Sequence, residues 1–154
     1  MFTRTQTCYG ELTDSTNQTP AGTSPVQATF NTTGLTHGCT KVNNGFTVQV
    51  SGVYSVNITG QVSKTGGGQS NNTVDVWLVK NGVAVAGSGV RNVVVEIGDN
   101  KVVYSDNIIH MSAGDSVKVY LSVDAGNVGA GLYAYAPAGE ASIPSIMLTL
   151  FRIA

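Results

Sequence analysis

The chain has 154 residues and a formal net charge of -1, with eight Lys and Arg against nine Asp and Glu. That length holds one domain with a core of its own, and the singly scattered basic residues offer no cluster for nucleic acid or an anionic membrane surface. No apolar run is long enough to cross a bilayer as a helix, and charged residues make up only 11% of the chain, so solubility falls to Ser, Thr and Asn or to the burial of surface in an assembly.

The opening Met1 to Cys8 lacks the apolar stretch of a secretory signal, and Cys8 and Cys39 are expected as free thiols. Residues 1–25 read as an N-terminal extended arm or linker. Asp14 to Pro25 has no hydrophobic period and contains two prolines, while Phe2, Arg4, Tyr9 and Leu12 are the side chains able to dock the arm on a partner.

From residue 26 onward short strands follow at regular spacing. Val26 to Asn31 is the first, and Phe46 to Val50 places Phe46, Val48 and Val50 on one face. Val53 to Ser63 sets Tyr54, Val56 and Ile58 against Ser55, Asn57 and Thr59. Lys64 to Asn72 reads as a mobile turn, glycine-rich but without the Gly-Lys-Ser/Thr ending of a phosphate loop. Thr73 to Lys80 puts Val74, Val76 and Leu78 on one side and Asp75, Trp77 and Val79 on the other. Asn81-Gly82 marks a two-residue hairpin into Val83 to Gly87. Val90 to Ile97 and Lys101 to His110 are expected to form a second hairpin across Gly98-Asp99-Asn100. Ala113-Gly114-Asp115 turns into Ser116 to Val123. If Val117, Val119, Leu121 and Val123 face the core, Tyr120 faces out. Gly126 to Gly139 reads as flexible, and Ile143 to Ile153 as a central, paired strand. Eight to ten strands without helical period predict an all-β, antiparallel jelly-roll β-sandwich over residues 26–154.

Catalytic chemistry finds no foothold in this pattern. His37 and His110 belong to no nucleophile motif and are too few for a zinc site. Asp14, Asp99, Asp106, Asp115 and Asp124 read as turn residues whose side chains bond their own backbone. The reading is a protein that is not an enzyme and needs no cofactor or metal. Trp77, the single tryptophan, is with Tyr133 and Tyr135 the candidate contact for a host-surface glycan or protein, should the domain be a receptor-binding tip.

The ordered motifs carry a resemblance. Gly52-Val53-Tyr54-Ser55-Val56 resembles the Gly-x-Tyr-x-Phe strand of the tumour-necrosis-factor-like jelly rolls, which include the globular heads of complement and collagen-like proteins. Trp77 to Gly82 is similar to their strand and Asn-Gly hairpin. Met111 to Val119 resembles their Leu-x-x-Gly-Asp-x-Val-x-Val signature, and Ser145 to Leu150 stands at their last central strand. Val56 replaces the usual Phe, and the aromatic-glycine pair of the last strand is missing. Leu12 to Thr19, followed by Ala28 to Thr33, resembles the opening of small virion structural proteins of tailed bacteriophages. That resemblance implies a capsid decoration, or cement, protein assembled in the host cytoplasm and bound to the outer head surface. Its partners would be itself, as a homotrimer, and the major capsid protein, with no nucleic acid and no membrane insertion. The arm residues Phe2, Arg4, Tyr9 and Leu12 would then touch the capsid, and Tyr120, Met147 and Phe151 would pack the trimer. The alternative is a tail-fibre or spike tip.

Overall fold

The computed structural model describes residues 6–68 and 70–154, and the described residues contain no helix. Thirteen strands follow in chain order. They are β1 (Tyr9–Asp14), β2 (Val26–Gln27), β3 (Thr32–His37), β4 (Cys39–Lys41), β5 (Gly45–Val48), β6 (Gly52–Ser63) and β7 (Asn72–Lys80). After these come β8 (Val83–Ala84), β9 (Val90–Val94), β10 (Lys101–Met111), β11 (Ser116–Val123), β12 (Gly131–Leu132) and β13 (Ile146–Arg152). They form two antiparallel sheets. The first runs β10-β6-β13-β1-β3 with β12 beside β6; the second runs β4-β5-β11-β7-β8, with β2 beside β11 and β9 beside β7. The expected all-β jelly-roll sandwich is what the chain forms.

The period of two decides which side chains are inside. Tyr54, Val56, Ile58 and Val62 of β6 and Ile146, Leu148 and Leu150 of β13 meet Val74, Val76 and Leu78 of β7 and Val117, Val119 and Leu121 of β11 in one core. Each such side chain contributes about 1.5–3 kcal/mol by leaving water. Tyr54 keeps its hydroxyl satisfied by donating to the Val50 carbonyl at 2.5 Å. Cys8 and Cys39 are buried free thiols, donating to the carbonyls of Gly38 and Tyr9.

Two motifs visible in the sequence lock together in space. Asn81 and Gly82 both take positive φ, 49° and 82°, as a type I′ turn requires, and Lys80 pairs with Val83 across it. Asp115, from the Ala-Gly-Asp turn, accepts from the Ser112 backbone N–H and from Asn81 Nδ2, each at 2.8 Å. It also pairs with Lys80 at 3.0 Å, and Asn81 Oδ1 accepts from the Ser116 N–H. These bonds, led by the Ser112 N–H, hold the Asp115 carboxyl down at about 2.

Three expectations are corrected. The segment taken as an arm contains β1, which lies inside the first sheet between β13 and β3, so the sandwich begins well before residue 26. Gly98-Asp99-Asn100 does not close a hairpin: β9 pairs with β7 and β10 with β6, in different sheets. Asp106 is no turn residue; it points outward from the middle of β10.

Candidate functional site

The outer face of the first sheet is built from alternate residues of its strands, and their register sets them in rows. One row reads Ile108, Ser55, Phe151, Tyr9, His37 across β10, β6, β13, β1 and β3. Another reads Tyr104, Thr59, Met147, Thr13, Thr32. Between them lie Asp106, Asn57, Thr149 and Glu11. Ile108 is 70% exposed, Tyr104 57% and Phe151 47%. Tyr9 is partly covered by the stacked ring of His37, 5.8 Å away. Ser55 stands between Ile108 and Phe151, and because neighbouring strands are about 4.8 Å apart, a gap of about 10 Å separates the two large side chains. The face is thus an alternation of apolar ridges and small polar hollows. The sequence motifs do not single out Tyr104 or Ile108, although β10 carries large apolar residues on both sides of its alternation.

Met147 lies lower on the same face, in a groove of about 510 Å³ that Ala134 to Ala136 and Ser142 to Pro144 also line. Tyr135 lines that groove with Glu11, Thr13 and Ile143, and its hydroxyl bonds the Asn100 side chain. Tyr133 is buried, with its hydroxyl on the Gly129 carbonyl.

The second sheet presents a different surface. Trp77 and Tyr120 face each other across β7 and β11, with ring centroids 6.3 Å apart. In the next outward row Ser122, Asp75 and Arg91 lie side by side. Arg91 grips Asp75 with two bonds of 2.7 Å, Nε to Oδ1 and Nη2 to Oδ2. Asp75, Trp77, Gly89, Arg91 and Ser122 line a cleft of about 420 Å³. At Gly89 a Cβ would meet only the Trp77 Cβ, at 3.9 Å, so this wall of the cleft has room for a side chain.

The expected site residues therefore separate. Phe2 and Arg4 lie outside the described residues. Tyr9 is at the surface, but Leu12 is fully buried in the core and cannot touch a capsid without unfolding β1. Met147 and Phe151 share the face of the first sheet. Tyr120 points outward as the alternation requires, but from the opposite sheet, so no single flat contact covers all three. Trp77, Tyr133 and Tyr135 likewise fall in three places. Among the described residues no three His, Cys, Asp or Glu side chains gather as metal ligands.

No family model and no curated protein sequence matches the chain. Solved structures do. The chain is similar to murine APRIL, crystallised at pH 5.0, with a TM-score of 0.56 and 12% identity, over 96% of this chain and 100% of that one. At that identity the likeness establishes the fold, a tumour-necrosis-factor-like jelly roll.

Proposed function

We propose that this chain is a non-catalytic virion structural protein, a homotrimer that decorates the outer surface of a capsid and bridges neighbouring subunits. The observation that carries self-association is the exposed face of the first sheet. Ile108, Tyr104 and Phe151 stand in water there beside Ser55, Asn57 and Thr59, and around a threefold axis the ridge of one copy fits a hollow of the next, removing apolar surface from solvent. The jelly-roll fold supports threefold packing by its resemblance to the trimeric heads. The capsid as partner is supported by the resemblance of residues 12–19 and 28–33 to phage virion proteins. With Leu12 committed to the core, the docking segment is what precedes β1, Phe2 and Arg4 among it, with Tyr9 where the chain enters the sheet.

Sedimentation equilibrium tests the assembly. Wild type is expected at three times 15.9 kDa, Phe151→Asp combined with Ile108→Asp at the monomer mass with unchanged circular dichroism, and Tyr120→Ser at the trimer mass. A trimer that survives both aspartates overturns the interface. For the capsid, undecorated heads are mixed with wild-type protein and with protein lacking residues 1–5, then imaged by electron cryomicroscopy. Wild-type density at threefold positions, lost on truncation, is the expected result; bare heads overturn it. Removing residues 1–25 instead would delete β1 and is no test.

The Trp77 cleft favours a second reading, a receptor-binding tip. An aromatic ledge beside a planar ion pair suits the apolar face and hydroxyls of a sugar ring. Bare heads together with protein on the tail would favour this reading over decoration.

A further inference from the structure

One buried reactive group takes part in neither face. Lys64 follows the last residue of β6 and is 0% exposed. Its ammonium donates to the Ser70 carbonyl at 2.5 Å and to Asn72 Oδ1 at 3.1 Å. The ion pairs among the described residues are Lys80 with Asp115 and Arg91 with Asp75, so Lys64 is buried against neutral acceptors alone. Burial of a charge without a counter-charge is costly, which makes this lysine an expensive way to tie a loop.

Asn72, the first residue of β7, is almost as buried. Its Nδ2 lies 3.5 Å from Asp124 Oδ1, just past the end of β11. Asp124 is kept there by its backbone N–H, which donates to the Thr73 carbonyl at 3.3 Å. The amide carbon of Asn72 thus sits between an amine on one side and a carboxylate on the other. Above it, Gly66 donates its N–H to the Val128 carbonyl at 2.9 Å, and a Cβ on Gly67 would stand 3.3 Å from Asn72 Oδ1. The glycine run closes over the pair and keeps water from it.

We propose that Lys64 and Asn72 join in an intramolecular isopeptide bond, assisted by Asp124. The unprotonated Nζ attacks Asn72 Cγ, the C–Nδ2 bond breaks, and ammonia departs. The proton lost by the amine passes to the leaving Nδ2 in the tetrahedral intermediate, and the Asp124 carboxylate, 3.5 Å from that nitrogen, steadies it as it becomes cationic and ends unchanged. The balance is one lysine ammonium and one carboxamide giving one secondary amide and one ammonium ion, with no oxidant or co-reactant. Only the unprotonated amine attacks, and a step taken once in the life of the molecule can proceed through a small population of it. The buried, held pair of Lys64 and Asn72 supplies the rest, since fixed proximity is worth effective concentrations on the order of 10⁵ M or more.

The proposal is independent of trimer and capsid, and mass spectrometry of the whole purified protein tests it. Loss of ammonia lowers the mass by about 17 Da, and digestion after denaturation should yield a branched peptide joining Lys64 to Asn72, with no tryptic cut after Lys64. Succinimide formation at Asn81-Gly82 gives the same mass change, so the fragment spectrum must place it. Lys64→Met should keep the full mass. Asp124→Asn, an exposed position that leaves the core alone, should accumulate the uncrosslinked form. Full mass in the wild type, a loss located at Asn81, or a loss that persists in Lys64→Met overturns the proposal. Crosslinking of Asp124→Asn at the wild-type rate overturns the part given to Asp124.

Discussion

Replacing Asp115 by Asn tests how the two turn motifs hold the second sheet. The carboxylate accepts from the Ser112 N–H and from Asn81, and pairs with Lys80. An amide of the same size puts an NH₂ group where one of those donors already points. The carboxyl is held at about 2 against 3.8 for a free one. Because the folded value is the lower, the interaction stabilises the protein fully above pH 4 and is lost as pH falls through 2. That lowering corresponds to about 2 kcal/mol at most. Asp115 and Lys80 keep 18% and 29% of their side chains in water, and solvent screening lowers the contribution to about 1 kcal/mol. Urea denaturation of wild type and Asp115→Asn from pH 7 to pH 2 reads it. The gap between the two is expected at about 1–1.5 kcal/mol near neutrality and should shrink steadily below pH 4. A gap of constant size across that range would show that the carboxylate's charge plays no part.

Two further perturbations probe the core. Gly10 lies in β1 beneath the Phe46 ring, and a Cβ there would stand 2.5 Å from Phe46 Cζ and 2.8 Å from Cys39 Sγ. Gly10→Ala is therefore expected to cost about 2–3 kcal/mol and to lower Tm by about 5–10 °C; an unchanged Tm would mean that Phe46 has room to move. Burial, reinforced by the neighbouring Cys8, pushes the Cys39 thiol up to about 12. At pH 8 native Cys39 should resist a disulfide reagent that labels the guanidinium-unfolded chain at once, and rapid native labelling would show that β4 opens readily.

What was legible in the sequence was local. Asn81-Gly82 names its own backbone conformation, and the alternation of Val117, Val119 and Leu121 correctly turns Tyr120 outward. Neither signal says which sheet a strand joins, and so Tyr120 was grouped with Met147 and Phe151 from the opposite face. Gly98, with φ of 85°, announces a bend as plainly as Gly82 does, but the chain leaves that bend for the other sheet. β1 was unreadable for a different reason. Its inward positions are Gly10, Leu12 and Asp14, of which one alone is hydrophobic; Gly10 is demanded by Phe46, and buried Asp14 is satisfied by the Thr16 N–H and the Thr29 hydroxyl. β3 is exposed along its whole length and offers no period at all. Lys64 sits in a run whose composition reads as solvated, because burial by a folded-over glycine loop leaves no mark on the residues themselves.

The place of β13 has a consequence for how the molecule comes into being. It is the thirteenth of the described strands in chain order, yet it lies between β6 and β1, pairing Phe151 with Tyr9 on one side and with Ser55 on the other. Until it arrives, two early strands hold unpaired edges toward each other, and such edges recruit other chains. Contacts of this span also close slowly. A chain without residues 146–152 keeps a split sheet with two sticky borders rather than a smaller version of the domain.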